Sequence, residues 1–273
     1  MSQPDDSSYH NPRLLHLAGF LIFLGAAAVV LGGLAAALSG LGSRWDWWRF
    51  QTGFGILEWA VIACAGGAVA SLIGLLSAVL QRQGALALRA VPGIVIGLAV
   101  LAYPLSLLDQ ASSVPAIHDI TTDTDDPPRF RAVAGARRAA MNAVAYPGGD
   151  TAAKQRQAYP WIEPLLLDRP VHTVFQAARR QVAAEGWEVH FAERWSERGP
   201  ERTGSGAAAR IEATATSFWY GFKDDVVVRI AQAPDGRTRV DVRSASRVGI
   251  SDLGVNADRV HAFLNALAER LES

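Results

Sequence analysis

Three long apolar runs dominate the first 108 residues, and they decide what kind of molecule the chain can form. Leu14 to Leu38 reads LLHLAGFLIFLGAAAVVLGGLAAAL, Phe54 to Leu80 is interrupted only by Glu58, and Ala90 to Leu108 carries Pro92 near its start and Pro104 near its end. At about 1.5 Å of rise per residue, each is long enough to cross a hydrocarbon layer of about 30 Å as a helix. Soluble core helices rarely run this long without a charged face. The expected organisation is therefore a membrane domain over residues 1–108, with spans at about 14–38, 54–80 and 90–108, followed by a soluble domain over 109–273. A cleaved signal peptide is a poor account of the first run. Ala35–Ala37 would suit a cleavage site, but the apolar stretch is too long, and the preceding tail holds Asp5 and Asp6 with only Arg13 as a strong cation.

The arginines suggest an orientation. Arg13, Arg82 and Arg89 flank the spans on one side, and Arg44 and Arg49 on the other. The segment after Leu108 shares that second side and offers Asp109, Asp119, Asp123, Asp125 and Asp126 before its first cation, Arg129. The positive-inside rule then places the N-terminus in the cytoplasm and the soluble domain outside, as a multi-pass membrane protein. Trp45, Trp47 and Trp48 suit an interfacial belt on the outer side. Glu58 lies about one turn inside its span and reads as an interfacial carboxylate, with Tyr103 at similar depth as its candidate partner, more than as an ion site. Gly93-Ile-Val-Ile-Gly97 is a small-residue spacing that packs helices in a bundle.

Composition narrows the functions. The formal net charge is zero, so no long-range field draws in nucleic acid, and none is expected as a partner. The one cysteine, Cys64, lies in an apolar run, so neither an internal disulfide nor a cysteine-rich metal centre forms. No Walker loop, dinucleotide fingerprint, nucleophile elbow or HExxH helix occurs, and no cofactor is expected.

The soluble part reads as α+β. After a polar loop from Asp109 to Pro128, an amphipathic helix is expected over Arg129–Ala145, with Phe130, Val133, Ala134, Met141 and Val144 on one face. Tyr146-Pro-Gly-Gly149 breaks it, and Lys154–Pro160 reads as a linker. A short strand follows at Ile162–Leu167, then a helix capped by Asp168 with Val171, Val174, Phe175, Ala178 and Val182 at helical spacing, stopped by Gly186. Strands are expected at Trp187–Phe191, Arg210–Thr216, Asp225–Ile230 and Thr238–Ser246, with a charged turn at Glu197–Gly206 and a turn at Pro234-Asp-Gly236. In Arg210–Thr216, Ile211, Ala213 and Ala215 alternate with Glu212, Thr214 and Thr216; later Val240 and Val242 alternate with Arg239, Asp241 and Arg243. A closing helix from about Ala257 completes an antiparallel-type sheet with helices packed on one face.

Three polar clusters could carry function. His118, Asp119, Thr122 and Asp123, with Asp125 and Asp126, offer cation ligands, although their spacing matches no EF-hand or zinc pattern and suits Asx-turn caps better. Phe218-Trp-Tyr220, Phe222 and Asp225 could line an apolar site, touch the membrane interface or cap the core. Arg243 and Arg247 share strand parity and stand before Ser251, Asp252 and Asn256 at a helix start, an arrangement that suits an anion or internal arginine–aspartate pairing.

The blocks IHDITTD, DPP, YPWIEPLLLDRP, GW, EATATSFWYGFKDDVVVRI and VDVRSASRVGISDLGVNADRV, in that order and followed by the closing helix, resemble the bacterial and plastid family catalogued as domain of unknown function 1499. The resemblance runs from about Ile117 to Leu271. It implies a compact α+β domain in an envelope or membrane setting, which with the orientation above means a bacterial inner membrane and a periplasmic domain, and it assigns no catalytic residue. The long charged loop Arg194–Ala209 departs from it. The residues together suggest a membrane-tethered domain whose polar clusters converge on one pocket for an anionic small molecule or a lipid head group; contact with a partner membrane protein is a further possibility. The alternative is a metal-assisted hydrolase built on His118 with Asp119 or Asp123, which requires these ligands around one cation.

Overall fold

The computed structural model describes residues 11–192 and 209–272. By contact the chain separates into two compact units, one running to Asp109 and including Phe218–Gly221, the other comprising Gln110–Ser217 and Phe222 onward.

The first unit is built on three helices, α1 (Pro12–Arg44), α2 (Phe50–Leu80) and α3 (Gly84–Ser113). All three are long and apolar enough to cross a membrane. Each extends a turn or more past the expected span, and α3 continues through Asp109 to Ser113 with both prolines inside it. The helices approach through small residues. A Cβ on Gly67 would lie 2.7 Å from the carbonyl oxygen of Gly25, and one on Gly97 would lie 2.8 Å from Ala68 Cβ. Gly97, in the expected GxxxG pair, therefore lets α3 seat on α2. Glu58 is exposed and makes no hydrogen bond or ion pair among the described residues. Tyr103 instead packs edge-on against Trp219, with ring centroids 5.5 Å apart, so the expected Glu58–Tyr103 partnership does not form. Trp48 donates from Nε1 to the Ser39 carbonyl at 3.0 Å, while Trp45 and Trp47 remain exposed.

The second unit contains β1 (Asp119–Thr121), α4 (Ala134–Arg138), α5 (Gly149–Ala158), β2 (Leu165–Leu167), α6 (Val171–Ala184), β3 (Glu188–Ala192), β4 (Ala209–Thr216), β5 (Lys223–Gln232), β6 (Thr238–Ser246) and α7 (Val255–Glu272). Its strands form one antiparallel sheet in the order β1-β6-β5-β4-β3, with β2 paired to the other end of β6. One face carries Ile120, Ile211, Ala213, Val226, Val228, Ile230, Val240 and Val242, and α6 and α7 cover it with Val174, Phe175, Val182, Val260, Phe263 and Leu267. This is the alternation read from β4 and β6, and the α+β architecture with helices on one face follows from it.

Four expectations are corrected. The helix over Arg129–Ala145 shrinks to α4, because the carbonyls of Ala143 and Val144 turn in to accept from Arg137 and Arg243; a continuous helix would hold them in its own ladder. The expected linker Lys154–Pro160 lies mostly in α5. The cap of α6 is Pro170, with no side-chain hydrogen bond, and not Asp168. The polar loop contains a sheet strand, β1. The turn Glu197–Gly206 lies outside the described residues, as does the loop Arg194–Ala209 apart from Ala209.

Candidate functional site

The face of the sheet away from α6 and α7 is charged and buried. Registers align Asp119, Ala245, Asp225 and Thr214 across β1, β6, β5 and β4, with Thr121, Arg243, Val227 and Glu212 in the next row and Asp241, Arg229 and Arg210 beyond it. Asp119, Glu212, Asp225, Asp241, Arg137 and Arg243 are each at most 1% exposed. Charges this deep persist only when paired and hydrogen-bonded.

At the centre the carboxylates are paired with arginines, while the buried Arg137 Nε has no hydrogen-bond partner among the described residues. Arg243 meets Asp119 in a two-pronged bridge, Nε to Oδ1 at 2.8 Å and Nη2 to Oδ2 at 2.7 Å, and also donates to the carbonyls of Pro128 and Val144. Arg247 holds Asp225 in the same way, at 2.9 and 2.8 Å. Asp225 also accepts from Arg137 Nη1 at 3.1 Å and Thr214 Oγ1 at 2.7 Å. Burial pushes the Asp225 carboxyl up, but the hydrogen bonds from Arg247 and Thr214 and the Arg247 charge outweigh it and hold it below its ordinary value. Burial lowers the Arg137 pKa against the pull of Asp225. Phe130 lies between the two deepest cations, its ring centroid 4.8 Å from the Arg137 guanidinium and 4.5 Å from that of Arg243. The Tyr146 ring centroid lies 5.5 Å from the Arg243 guanidinium, and its phenol is pushed up to about 12 by burial and by the Asp119 charge.

A second group sits toward the far end of β6. Asp241 accepts from Arg229 and Arg239, and from Thr122 Oγ1 at 3.3 Å. Asp123 accepts from Arg239 at 2.6 Å and from the backbone amides of Asp125 and Asp126. Those contacts overcome its burial and lower its pKa. Glu212 accepts from the amides of Arg131 and Val133 at 3.0 and 3.1 Å and pairs with Arg210 at 3.1 Å. The sequence reading did not select Arg137, Glu212, Arg229, Asp241 or His190 as site residues. Its available signal was the run of opposite charges at alternate positions of β4, β5 and β6. His190 Nε2 lies 2.8 Å from Thr214 Oγ1, whose proton points to Asp225.

The predicted site residues therefore divide. Asp119, Thr122, Asp123, Asp225, Arg243 and Arg247 share the ionic face. His118, Asp252 and Asn256 belong to a corner on the helix-covered side. There Asn256 joins Ser244, Ser246 and the His118 carbonyl, and Asp252 caps α7 by accepting from the amides of Gly254 and Asn256. Burial raises the Asp252 pKa despite those two bonds. The His118 ring contacts the Ile250 carbonyl at 3.3 Å. Phe218, Trp219 and Tyr220 lie in neither group. In the first unit Trp219 donates to the Ala37 carbonyl at 3.0 Å, and the Tyr220 hydroxyl lies 3.1 Å from Ser39 Oγ.

This division bears on the hydrolase alternative. His118 and Asp119 are neighbours at the start of an extended strand and turn to opposite sides. Both Asp119 oxygens are held by Arg243. Among the described residues, no three His, Cys, Asp or Glu side chains are grouped to hold a metal ion.

A family model described as Protein of unknown function (DUF1499) matches residues 119–267, more than half of the chain. The chain belongs to that family. No curated protein and no solved structure matches it. The DUF1499 match opens at Asp119, the carboxylate that anchors Arg243, and takes in the whole ionic face together with α6 and most of α7. His118 falls just outside it.

Proposed function

We propose that this DUF1499 protein is a membrane-anchored binding domain that works on the outer face of a bacterial inner membrane and recognises an anionic group on a small molecule or a lipid head. The observation that carries this reading is the closed ionic face. Its carboxylates are bound by arginines and backbone amides, and one of the deepest, Asp225, is held below its ordinary pKa, which suits a rigid scaffold and makes it a poor proton acceptor. Recognition then falls to the rim and the outer surfaces of the domain. The short tether supports action beside the bilayer, since only Val114–His118 separates α3 from β1. The arginine distribution around the spans supports the outward orientation.

Sidedness is tested by labelling. With Cys64→Ala removing the one native thiol, Asp235→Cys puts a new one on the exposed turn between β5 and β6. A membrane-impermeant maleimide should label it in intact spheroplasts. Labelling only after lysis would reverse the orientation and sink the proposal.

A further inference from the structure

We infer that the tip of the β4–β5 hairpin, Phe218–Gly221, is a membrane anchor that holds the Phe218 ring in the interfacial layer of a phospholipid bilayer. β4 ends at Thr216 and β5 begins at Lys223, and both strands belong to the second unit. The four tip residues group instead with the three apolar helices. The amide of Ser217 closes the neck of the hairpin by donating to the Phe222 carbonyl at 2.8 Å.

The helices hold the tip from behind. The Trp219 indole fills the space left open at Gly40, where even a Cβ would collide with it, and donates from Nε1 to the Ala37 carbonyl at 3.0 Å. Tyr220 is buried, with its ring centroid 4.9 Å from that of Phe54. Gly221 has a φ of +68° and passes so close to α1 that a Cβ would lie 3.0 Å from Arg44 Cα. Arg44 Nη1 donates to the Phe218 carbonyl at 2.9 Å, which fixes that backbone, yet Phe218 itself stays 82% exposed. The depth of the tip decides what faces its ring. Ala37 belongs to the apolar run Leu14–Leu38, and Tyr103, whose ring packs on Trp219, belongs to the third run. Helix from Leu14 to Ala37 rises about 35 Å, slightly more than a hydrocarbon layer of about 30 Å, so its Ala37 end reaches the edge of that layer. Trp45, Trp47 and Tyr103 are exposed in the same unit, and tryptophan and tyrosine collect where hydrocarbon meets head groups. Arg44 lies about two turns beyond Ala37, its guanidinium 5.8 Å from the Phe218 centroid. An aromatic ring at this level with a cation beyond it matches the order of groups at a membrane surface, and lipid gives the ring the apolar cover that water would deny it.

The anchor goes beyond the binding-domain reading and requires neither a ligand nor a sidedness, so the two fail separately. The full chain carrying Cys64→Ala and Phe218→Cys is labelled with a nitrobenzoxadiazole fluorophore. It is placed in nanodiscs of phosphatidylcholine and phosphatidylglycerol, where both membrane faces are open to solution. Asp235→Cys in the same background, on the exposed β5–β6 turn, is the comparison. The probe at position 218 should emit at shorter wavelength and be quenched by phosphatidylcholine with a doxyl group high on its acyl chain. Iodide should quench it severalfold less than the probe at position 235. Equal iodide quenching at both positions, without quenching by the lipid, means that the ring faces water and overturns the anchor. Protection from both quenchers means that protein covers the ring, a second copy of the chain included, and overturns it too. A second measurement needs no substitution. A phospholipid with a diazirine near its head group, photolysed with the unaltered chain, should leave adducts on the peptide holding Phe218 and none on the 233–237 turn. Adducts absent from the Phe218 peptide would equally reject the anchor.

Discussion

At the residue scale, the strongest constraint in the second unit is the set of carboxylates that face arginines away from water. Removing one partner leaves the other buried and uncompensated, which costs about 3–5 kcal/mol. Asp225→Asn would strip Arg137 and Arg247 of their shared counter-charge, so a destabilisation of that order is expected in denaturant unfolding of the purified chain. Asp235→Asn, on an exposed turn with a local Arg237 pair, should leave the unfolding midpoint essentially unchanged. The same carboxylates set a pH dependence. Asp225 and Asp123 have folded pKa values below their ordinary 3.8, so the stability they add is present above that pH and is lost as pH falls through the folded values. Asp252 is shifted up and works in the opposite direction, its contribution fading as pH rises through its folded pKa. Acid unfolding followed by tryptophan fluorescence should therefore set in below pH 3.8, and Asp225→Asn should flatten the profile.

At the element scale, Gln155 performs a task normally done by a neighbouring strand. Its Oε1 accepts from the Thr121 amide at 3.1 Å and its Nε2 donates to the Thr121 carbonyl at 2.6 Å, so α5 closes the open edge of β1. Gln155→Ala leaves both groups of a buried backbone unit unpaired, at a cost of about 1–3 kcal/mol. Amide exchange at Thr121 should speed up while exchange in the centre of β5 stays slow. This element was not legible in the sequence. Residues 149–158 bury only Ala152 and Gln155, so no apolar period marks the helix, and the stretch reads as a linker. α6 and α7 were legible because their apolar faces repeat, and β4 and β6 because their residues alternate. That same alternation hid the ionic face: Glu212 and Asp241 were placed opposite the apolar residues, where a solvated surface is the ordinary expectation. The chain covering them, residues 122–146, has too little regular structure to announce itself. Among the spans, Gly97→Leu should separate α3 from α2, because even a Cβ would lie 2.8 Å from Ala68 and 3.1 Å from the Cys64 carbonyl. A lower yield and melting temperature in detergent are expected, whereas Gly33→Leu, with nothing within 4 Å of its Cβ position, should change neither.

At the scale of the whole molecule, three apolar helices and an internally neutralised sheet domain call for two different solvents. The chain should stay with the membrane fraction under alkaline carbonate extraction, and its release into the supernatant would contradict the spanning assignment. The bridge between Asp119 and Arg243 also has a consequence in time. Its two residues lie 124 positions apart, with β1 at the beginning of the domain and β6 near its end. A ribosome delivers the carboxylate long before the guanidinium that neutralises it. Until β6 emerges, β1 has no strand to join, and the segment 122–146 has no charged surface to cover. The sheet domain therefore cannot mature stepwise during synthesis and must close late, in one event dominated by non-local pairing, which makes its folding slow. If the domain is exported, that timing keeps the chain extended while it crosses the bilayer.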